Sequence, residues 1–184
     1  MRNLILTTYI SLDGVIENPQ NWSMRYFSED AGQLATEILT GADSLLQGRA
    51  TYEGFAGNWS EPGADAFSKH MYGMRKYVVS STLTEATWNN SELLSGDLVE
   101  AVTALKAEDG GDILSYGFGS VAHTLLAAGL VDTLYLWVHP VIVGAAAGPE
   151  DLAWNAKIPE SHFDTKDVRT LTSGVTVLTL TRTS

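Results

Sequence analysis

Asp112-Ile113-Leu114-Ser115, then Tyr116-Gly117-Phe118-Gly119-Ser120, running on to Val143-Gly144, sets the architecture of this chain. The first four residues read as a strand. Gly117 and Gly119 bracket one aromatic residue in a turn, and glycine permits tight turns and close approach of the backbone to a ligand. Ser120 has the chemistry of an N-cap. Val121, Ala122, Leu125, Leu126 and Ala128 then share one apolar face at helical spacing. Gly129 stands where a left-handed C-cap is expected, with Leu130 beyond it. From Leu134 to Val143 the run is almost wholly apolar, as in a strand covered on both faces. Pro140 predicts a bulge, bend or edge there, because proline donates nothing to a ladder. Strand, helix and strand in this order predict a right-handed crossover between parallel strands. A helix opening from a glycine turn also leaves its first N–H groups pointing outward, toward an anion such as a nucleotide phosphate.

Upstream, Leu4 to Ile10 reads as a first buried strand that ends in the turn Ser11-Leu12-Asp13-Gly14. Val15 to Phe27 reads as a long loop holding Pro19, Asn21 and Trp22, and loops of that length are often functional. Ser28 is placed to cap a helix with Glu29 and Asp30 in its first turn, Leu34, Ile38 and Leu39 on its apolar face, and Gly41 as its stop. Ser44-Leu45-Leu46-Gln47 is a second strand, followed by the glycine turn and helix start Gly48-Arg49-Ala50-Thr51-Tyr52-Glu53. A short helix over Ala64–Met71 follows the break at Pro62-Gly63. Arg75-Lys76-Tyr77-Val78-Val79 is a third strand ending in Ser80-Ser81-Thr82. Leu83–Gly96 reads as irregular. Asp97 and Glu100 form a capping-box variant at the start of a helix with Leu98, Ala101, Val102 and Leu105 on one face, closed by Gly110-Gly111.

Ala145 to Pro159 reads as a loop with a short helical turn. The tail reads as a hairpin, His162–Leu171 and Val175–Arg182, joined through Ser173-Gly174. The expected whole is one domain over residues 1–184, a three-layer α/β fold with a mostly parallel central sheet and a C-terminal antiparallel hairpin.

Composition narrows the function classes. A chain of 184 residues with 45% hydrophobic content buries a sizeable core. Its net charge of −11 argues against nonspecific binding to nucleic acid or anionic membranes. There is no cysteine, so disulfides and thiolate metal sites are excluded. His70, His123, His139 and His162 lie far apart without ligand spacing, so no metal site is expected. Met1 leads into Leu4-Ile5-Leu6 without a signal region, and no apolar run reaches membrane-spanning length. A cytoplasmic location is the expectation.

Three strand ends carry small or glycine residues: Gly48-Arg49-x-Thr51, Ser80-Ser81-Thr82 and Gly117-x-Gly119-Ser120. In open α/β sheets ligands bind beyond the carboxyl ends of the strands. Gly48 and Gly117 can bring helix N-termini against a pyrophosphate, and Arg49 can neutralise it. Ser80, Ser81 and Thr82 offer hydroxyls to an adenosine ribose or its phosphate. Each alone also fits a surface arginine, a polar strand exit or a tight turn. Together they favour a nucleotide site.

The order of these motifs resembles the dihydrofolate-reductase-like superfamily, and most closely the stand-alone relatives of the C-terminal reductase domain of bifunctional riboflavin-biosynthesis deaminase/reductases. The residues carrying the resemblance are Ser11-Leu12-Asp13-Gly14, Gly48-Arg49-Ala50-Thr51-Tyr52-Glu53, Lys76 to Leu83, Gly117-Phe118-Gly119-Ser120, Gly129-Leu130-Val131-Asp132 and His139 to Gly144. It implies a reductase that takes a hydride from NADPH and delivers it to a pterin-, flavin- or pyrimidine-related ring.

By the same resemblance, cofactor contacts fall at Gly48, Arg49 and Thr51, at Ser80, Ser81 and Thr82 toward the adenosine end, and at Gly117, Phe118, Gly119, Ser120 and Val121 at the pyrophosphate. The substrate falls between the first strand's exit, the Trp22 loop and the helix start near Glu29, with Trp22 and Tyr52 as substrate contacts. Asp13, Glu29 and Asp30 are the candidate acids, and each also suits a turn cap or helix-start electrostatics.

Two departures stand out. The adjacent glycines usual in dihydrofolate reductases are here separated by Phe118. Ala50 occupies an often basic position, which leaves NADH open beside NADPH. A homodimer is expected, because related domains pair and the Val-, Leu- and Thr-rich tail strands suggest an apolar edge. A noncatalytic nucleotide- or small-ligand-binding protein and a flavin-dependent protein remain the alternatives.

Overall fold

Leu4–Ser11 forms β1, and all of its residues except Tyr9 are buried. A strand covered on both faces must pair every N–H and C=O within the protein, and β1 does so between two parallel neighbours. On one side Leu4 to Thr7 run beside Ile113 to Tyr116 of β5 (Asp112–Tyr116); on the other Ile5 to Ser11 run beside Thr133 to His139 of β6 (Thr133–His139). The computed structural model describes residues 1–144, 148, 151–153, 158 and 160–183. Along them also run α1 (Glu29–Thr40), β2 (Ala42–Gly48), α2 (Arg49–Asn58), α3 (Ala66–Gly73), β3 (Arg75–Val79), β4 (Ser91–Leu94), α4 (Leu98–Ala107), α5 (Ser120–Ala127), β7 (Phe163–Thr170) and β8 (Thr176–Arg182).

Among the described residues the strands make one sheet in the order β4-β3-β2-β5-β1-β6-β8-β7. The first six are parallel, and β8 and β7 follow antiparallel. The alternation of side chains along a strand separates two cores. Leu4, Leu6 and Ile10 face Val102 and Leu105 of α4 and Leu125 and Leu126 of α5. Ile5, Leu45 and Leu114 face Leu34 and Ile38 of α1, Tyr52 of α2 and Met71 of α3. The expected three-layer α/β domain, with its mostly parallel sheet and terminal hairpin, is what forms. No helix among the described residues is long and apolar enough to cross a membrane.

Local chemistry ends the elements as expected in several places. Asp97 accepts from Val99 N at 2.9 Å and Glu100 N at 3.0 Å, capping α4. Gly129 takes φ of +71°, with Gly129 N donating to Leu126 O and Leu130 N to Leu125 O, so α5 closes in a Schellman motif.

Other expectations are corrected. The cap of α5 is Gly119, with Ser120 as the first helical residue. Ser28 precedes α1 but its hydroxyl bonds Asp30 Oδ1 at 2.5 Å instead of capping an N–H. The helix expected at Ala64–Met71 runs over Ala66–Gly73, because Asp65 is its cap. The stretch Leu83–Gly96 holds β4, a short edge strand with no apolar alternation to announce it. The run to Val143 leaves the sheet at His139, one residue before Pro140. The loop expected over Ala145–Pro159 lies mostly outside the described residues.

The sheet edge also differs from expectation. The Val- and Leu-bearing β8 is interior to the sheet, and the edge strand is β7, whose exposed residues include Asp164, Lys166, Asp167 and Arg169. Charges on an edge discourage strand addition.

Lys76 of β3 is fully buried. Its ammonium donates to the carbonyls of Tyr72 at 2.8 Å, Met74 at 2.8 Å and Asn89 at 3.0 Å, and lies 4.2 Å from the Trp88 ring centre. Burial pulls its pKa down to about 8, while three acceptors and an indole face keep it charged at neutral pH. It ties the C-terminus of α3 to the approach to β4. Lys76→Met removes the shared donor from those carbonyls, of which Tyr72 O keeps Asn89 Nδ2, and is expected to cost about 3 kcal/mol. Urea unfolding at pH 7 measures this, and an unchanged midpoint removes the assigned role.

Candidate functional site

β2 and β5 are neighbours, so the helices that leave them, α2 and α5, begin side by side. Glycine permits the approach. A Cβ on Gly48 would lie 3.3 Å from Val121 Cγ2, and one on Gly117 would lie 3.4 Å from Thr51 Oγ1. Gly117 also has φ of +89°, a conformation side chains other than glycine's rarely adopt. Two helix N-termini therefore open at the carboxyl end of the sheet, and neither has a side-chain cap among the described residues. Arg49 begins α2 with its guanidinium half exposed, donating to Thr82 Oγ1 at 2.7 Å beyond β3 and to Glu53 at 3.1 Å. The three motifs on β2, β3 and β5 are thus brought to one place.

The predicted contacts do not all present side chains there. Ser80 Oγ accepts from Thr82 N at 3.1 Å and Leu83 N at 2.9 Å, so it holds its own turn. Ser81, Thr82, Gly119 and Ser120 are exposed, and Thr51 and Val121 half-buried. Phe118 is 2% exposed and packs into the α4–α5 core, so only its backbone is at the turn. Tyr52 is likewise buried, its hydroxyl accepting from Trp88 N at 2.8 Å. That geometry makes it a core residue beneath α2 and not a surface for a substrate.

The carboxylates serve as ties. Asp13 accepts from Ser11 Oγ at 2.7 Å, Gly144 N at 2.8 Å and Val143 N at 3.1 Å, joining the exits of β1 and β6. Asp30 accepts from Ser28 Oγ, from Thr172 N at 2.8 Å and from Thr172 Oγ1 at 2.9 Å, fastening the β7–β8 turn to the start of α1. Hydrogen bonds, led by Ser11 for Asp13 and Ser28 for Asp30, hold both carboxyl groups at about 2. Both are ionised at neutral pH and carry no proton to donate. Glu29 is exposed, with Gln33 Nε2 at 3.4 Å.

A second cluster adjoins this end of the sheet, and sequence reasoning found only part of it. Thr7, Tyr9 and Ser11 stand beside Tyr135, Trp137 and His139 in register. Tyr9 lies 5.6 Å from Trp137 and 4.7 Å from His139, centre to centre. The loop after β1, which forms two short 3-10 turns, brings Trp22 to 5.3 Å and Tyr26 to 5.8 Å of His139. Tyr26 donates its hydroxyl to Pro140 O at 3.1 Å, and Trp22 Nε1 bonds Glu17 O at 3.1 Å.

His139 is 3% exposed, and burial lowers its pKa. The imidazole is therefore neutral, and with Nδ1 2.9 Å from Trp137 O, the proton is assigned to Nδ1 and a lone pair to Nε2. Strand alternation in β1 and β6 could have signalled this aromatic row. The hollows elsewhere, about 300 Å³ beside α1 and about 500 Å³ beside α3, involve none of the predicted site residues.

Asp30 gives a pH test. Its folded pKa lies below the ordinary 3.8, so its stabilisation is complete above that value and fades as pH falls toward 2. Asp30→Asn is expected to melt earlier than wild type at neutral pH and to lose less melting temperature from about pH 5 to about pH 2. Parallel acid limbs for the two proteins contradict the assigned tie.

Comparison with known proteins bears on the family and the fold. The chain matches the RibD C-terminal domain over residues 2–177. It is 31% identical over 148 residues to the uncharacterized protein YyaP of Bacillus subtilis (strain 168), covering 78% of this chain and 77% of that one. Its fold is shared with a candidate riboflavin biosynthesis protein from Shewanella sp. PV-4, at a TM-score of 0.76, 20% identity and 99% coverage of both chains. It is also shared with a pyrimidine reductase-like protein from Corynebacterium diphtheriae, at 0.65, 12% identity and coverage of 100% and 92%. A diaminohydroxyphosphoribosylaminopyrimidine deaminase/5-amino-6-(5-phosphoribosylamino)uracil reductase from Thermotoga maritima aligns at 0.66 and 15% identity, over 99% of this chain and 57% of that longer one. With the match spanning nearly its whole length, the chain belongs to the RibD C-terminal domain family.

Proposed function

We propose that this protein is an NAD(P)H-dependent reductase acting on a pyrimidine-, pterin- or flavin-related ring. The observation that carries the reading is the convergence of the α2 and α5 N-termini with the Arg49 guanidinium at the exits of β2, β5 and β3. This donor set fits a pyrophosphate, since two helix termini without side-chain caps open beside each other and a cation begins the first of them. Gly48, Arg49, Thr51 and the Gly117–Val121 turn would hold the phosphates, and Ser81 and Thr82 the adenosine end. A bound nicotinamide supplies the hydride; the chain positions the two rings and excludes water between them. A homodimer in the cytoplasm belongs to the same proposal.

Arg49→Ala is expected to weaken NADPH binding roughly tenfold, the loss of one charge-assisted hydrogen bond. Fluorescence titration with NADPH and NADH reads this, and equal affinity of mutant and wild type removes Arg49 from the phosphate site. Ala50 offers no cation for a 2′-phosphate, so the two cofactors are expected to bind within about tenfold of each other.

The engagement of Asp13 and Asp30 in structural hydrogen bonds favours one second reading, a noncatalytic nucleotide-binding protein. Steady-state NADPH oxidation against pteridines, flavins and pyrimidine precursors separates the two. Oxidation with none of them, at cofactor saturation, supports the second.

A further inference from the structure

Tyr9 and Tyr116 stand on one face of adjacent strands. Thr7 is the register partner of Tyr116, and Tyr9 follows Thr7 by two residues, so it projects to the same side. That side carries Trp137, which packs on Tyr9, and Phe55 of α2, whose ring lies 5.0 Å from Tyr116. Neither phenol oxygen has a hydrogen-bond partner among the described residues, although Tyr26, Tyr52 and Trp22 nearby all have theirs. Tyr9 is 37% exposed, yet burial raises its pKa, and burial with the Tyr9 phenol beside it raises that of Tyr116 further. The Tyr9 ring packs against Trp137 and His139 while part of it stays open to solvent. Both phenols there are neutral donors at physiological pH.

We propose that Tyr9 and Tyr116 are the hydrogen-bond donors to the lactam edge of a planar heterocycle seated against His139, replacing the carboxylic acid that Asp13 and Asp30 do not provide. The chemistry of the donors selects the ligand. Two O–H donors call for carbonyl or ring-nitrogen acceptors, and the Nε2 lone pair of His139 calls for a ring N–H. A carbonyl beside an N–H is a lactam, as in pyrimidinediones, pteridinediones and isoalloxazines. The flat ring suits walls formed by Trp22, Tyr26 and Trp137. The inference rests on the nucleotide-site reading only for what the bound ring meets; the phenol pair stands on its own geometry.

Lumazine, a fluorescent pteridinedione, is the probe, and ADP-ribose, which has the phosphates without the nicotinamide, is the control. Tyr9→Phe and Tyr116→Phe keep both rings and remove one hydroxyl each. Each is expected to weaken lumazine binding about five- to tenfold, to leave ADP-ribose affinity unchanged and to melt no earlier than wild type, because no internal hydrogen bond is lost. Wild-type affinity in both variants, or no lumazine binding by wild type, overturns the phenol assignment. Earlier melting of both variants does so too, by revealing bonds within the fold. Failure of wild type to bind ADP-ribose instead counts against the nucleotide site and leaves the lumazine result to be read alone.

Discussion

The pairing of β1 on both sides is the constraint from which the rest follows. An eight-residue strand in the centre of the sheet cannot leave its peptide groups to solvent, and its partners come from β5 and β6, more than a hundred residues later. Ion pairs close the amino end of this arrangement. Arg2 bonds Asp43 and also Gly111 O at 2.7 Å, while Lys106 bonds Asp132, whose other donor is Leu4 N at 2.7 Å. Lys106 and Arg2 are nearly buried while Asp43 and Asp132 keep part of their side chains in solvent, so each pair anchors a buried cation to a carboxylate at the surface. They fix the start of β1 against α4, β2 and the approach to β6.

With that end closed, the candidate site lies at the carboxyl end of the sheet. β5 entering between β2 and β1 brings two glycine turns together, and β6 on the far side of β1 supplies Trp137 and His139. The site accordingly has two characters along one edge. The β2–β3–β5 part has helix termini, a guanidinium and hydroxyls, suited to phosphates. The β1–β6 part has rings and neutral polar tips, suited to a heterocycle. Asp13 and Asp30 work outside both, holding the loops that frame the second part.

Gln47 shows that this region is not optimised for stability alone. It is fully buried on β2, beside Gly48, and neither end of its carboxamide has a partner among the described residues. An unpaired buried amide costs on the order of 1–3 kcal/mol.

The sequence by itself determined the order of the elements, the parallel character of β1, β2, β3, β5 and β6, and the three motifs at the strand ends, because these are local signals: apolar runs, glycine turns, capping residues. It also singled out Gly48-Arg49, Ser80–Thr82 and Gly117–Ser120 as the strand ends with residues of the kind a phosphate site needs. It could not say that β4 forms, since a four-residue edge strand exists only through its ladder with β3. Nor could it say which way side chains point. Tyr52 and Phe118 fell inside, while Tyr9 and Tyr116 came to share a face. Register and facing are set by pairing between strands far apart in the chain, and a one-residue slip reverses every side chain. The same is true of Asp13 and Asp30, whose partners Gly144 and Thr172 lie more than a hundred residues away. Only the tertiary structure brings such groups within hydrogen-bonding reach, so only it could turn two candidate acids into ties.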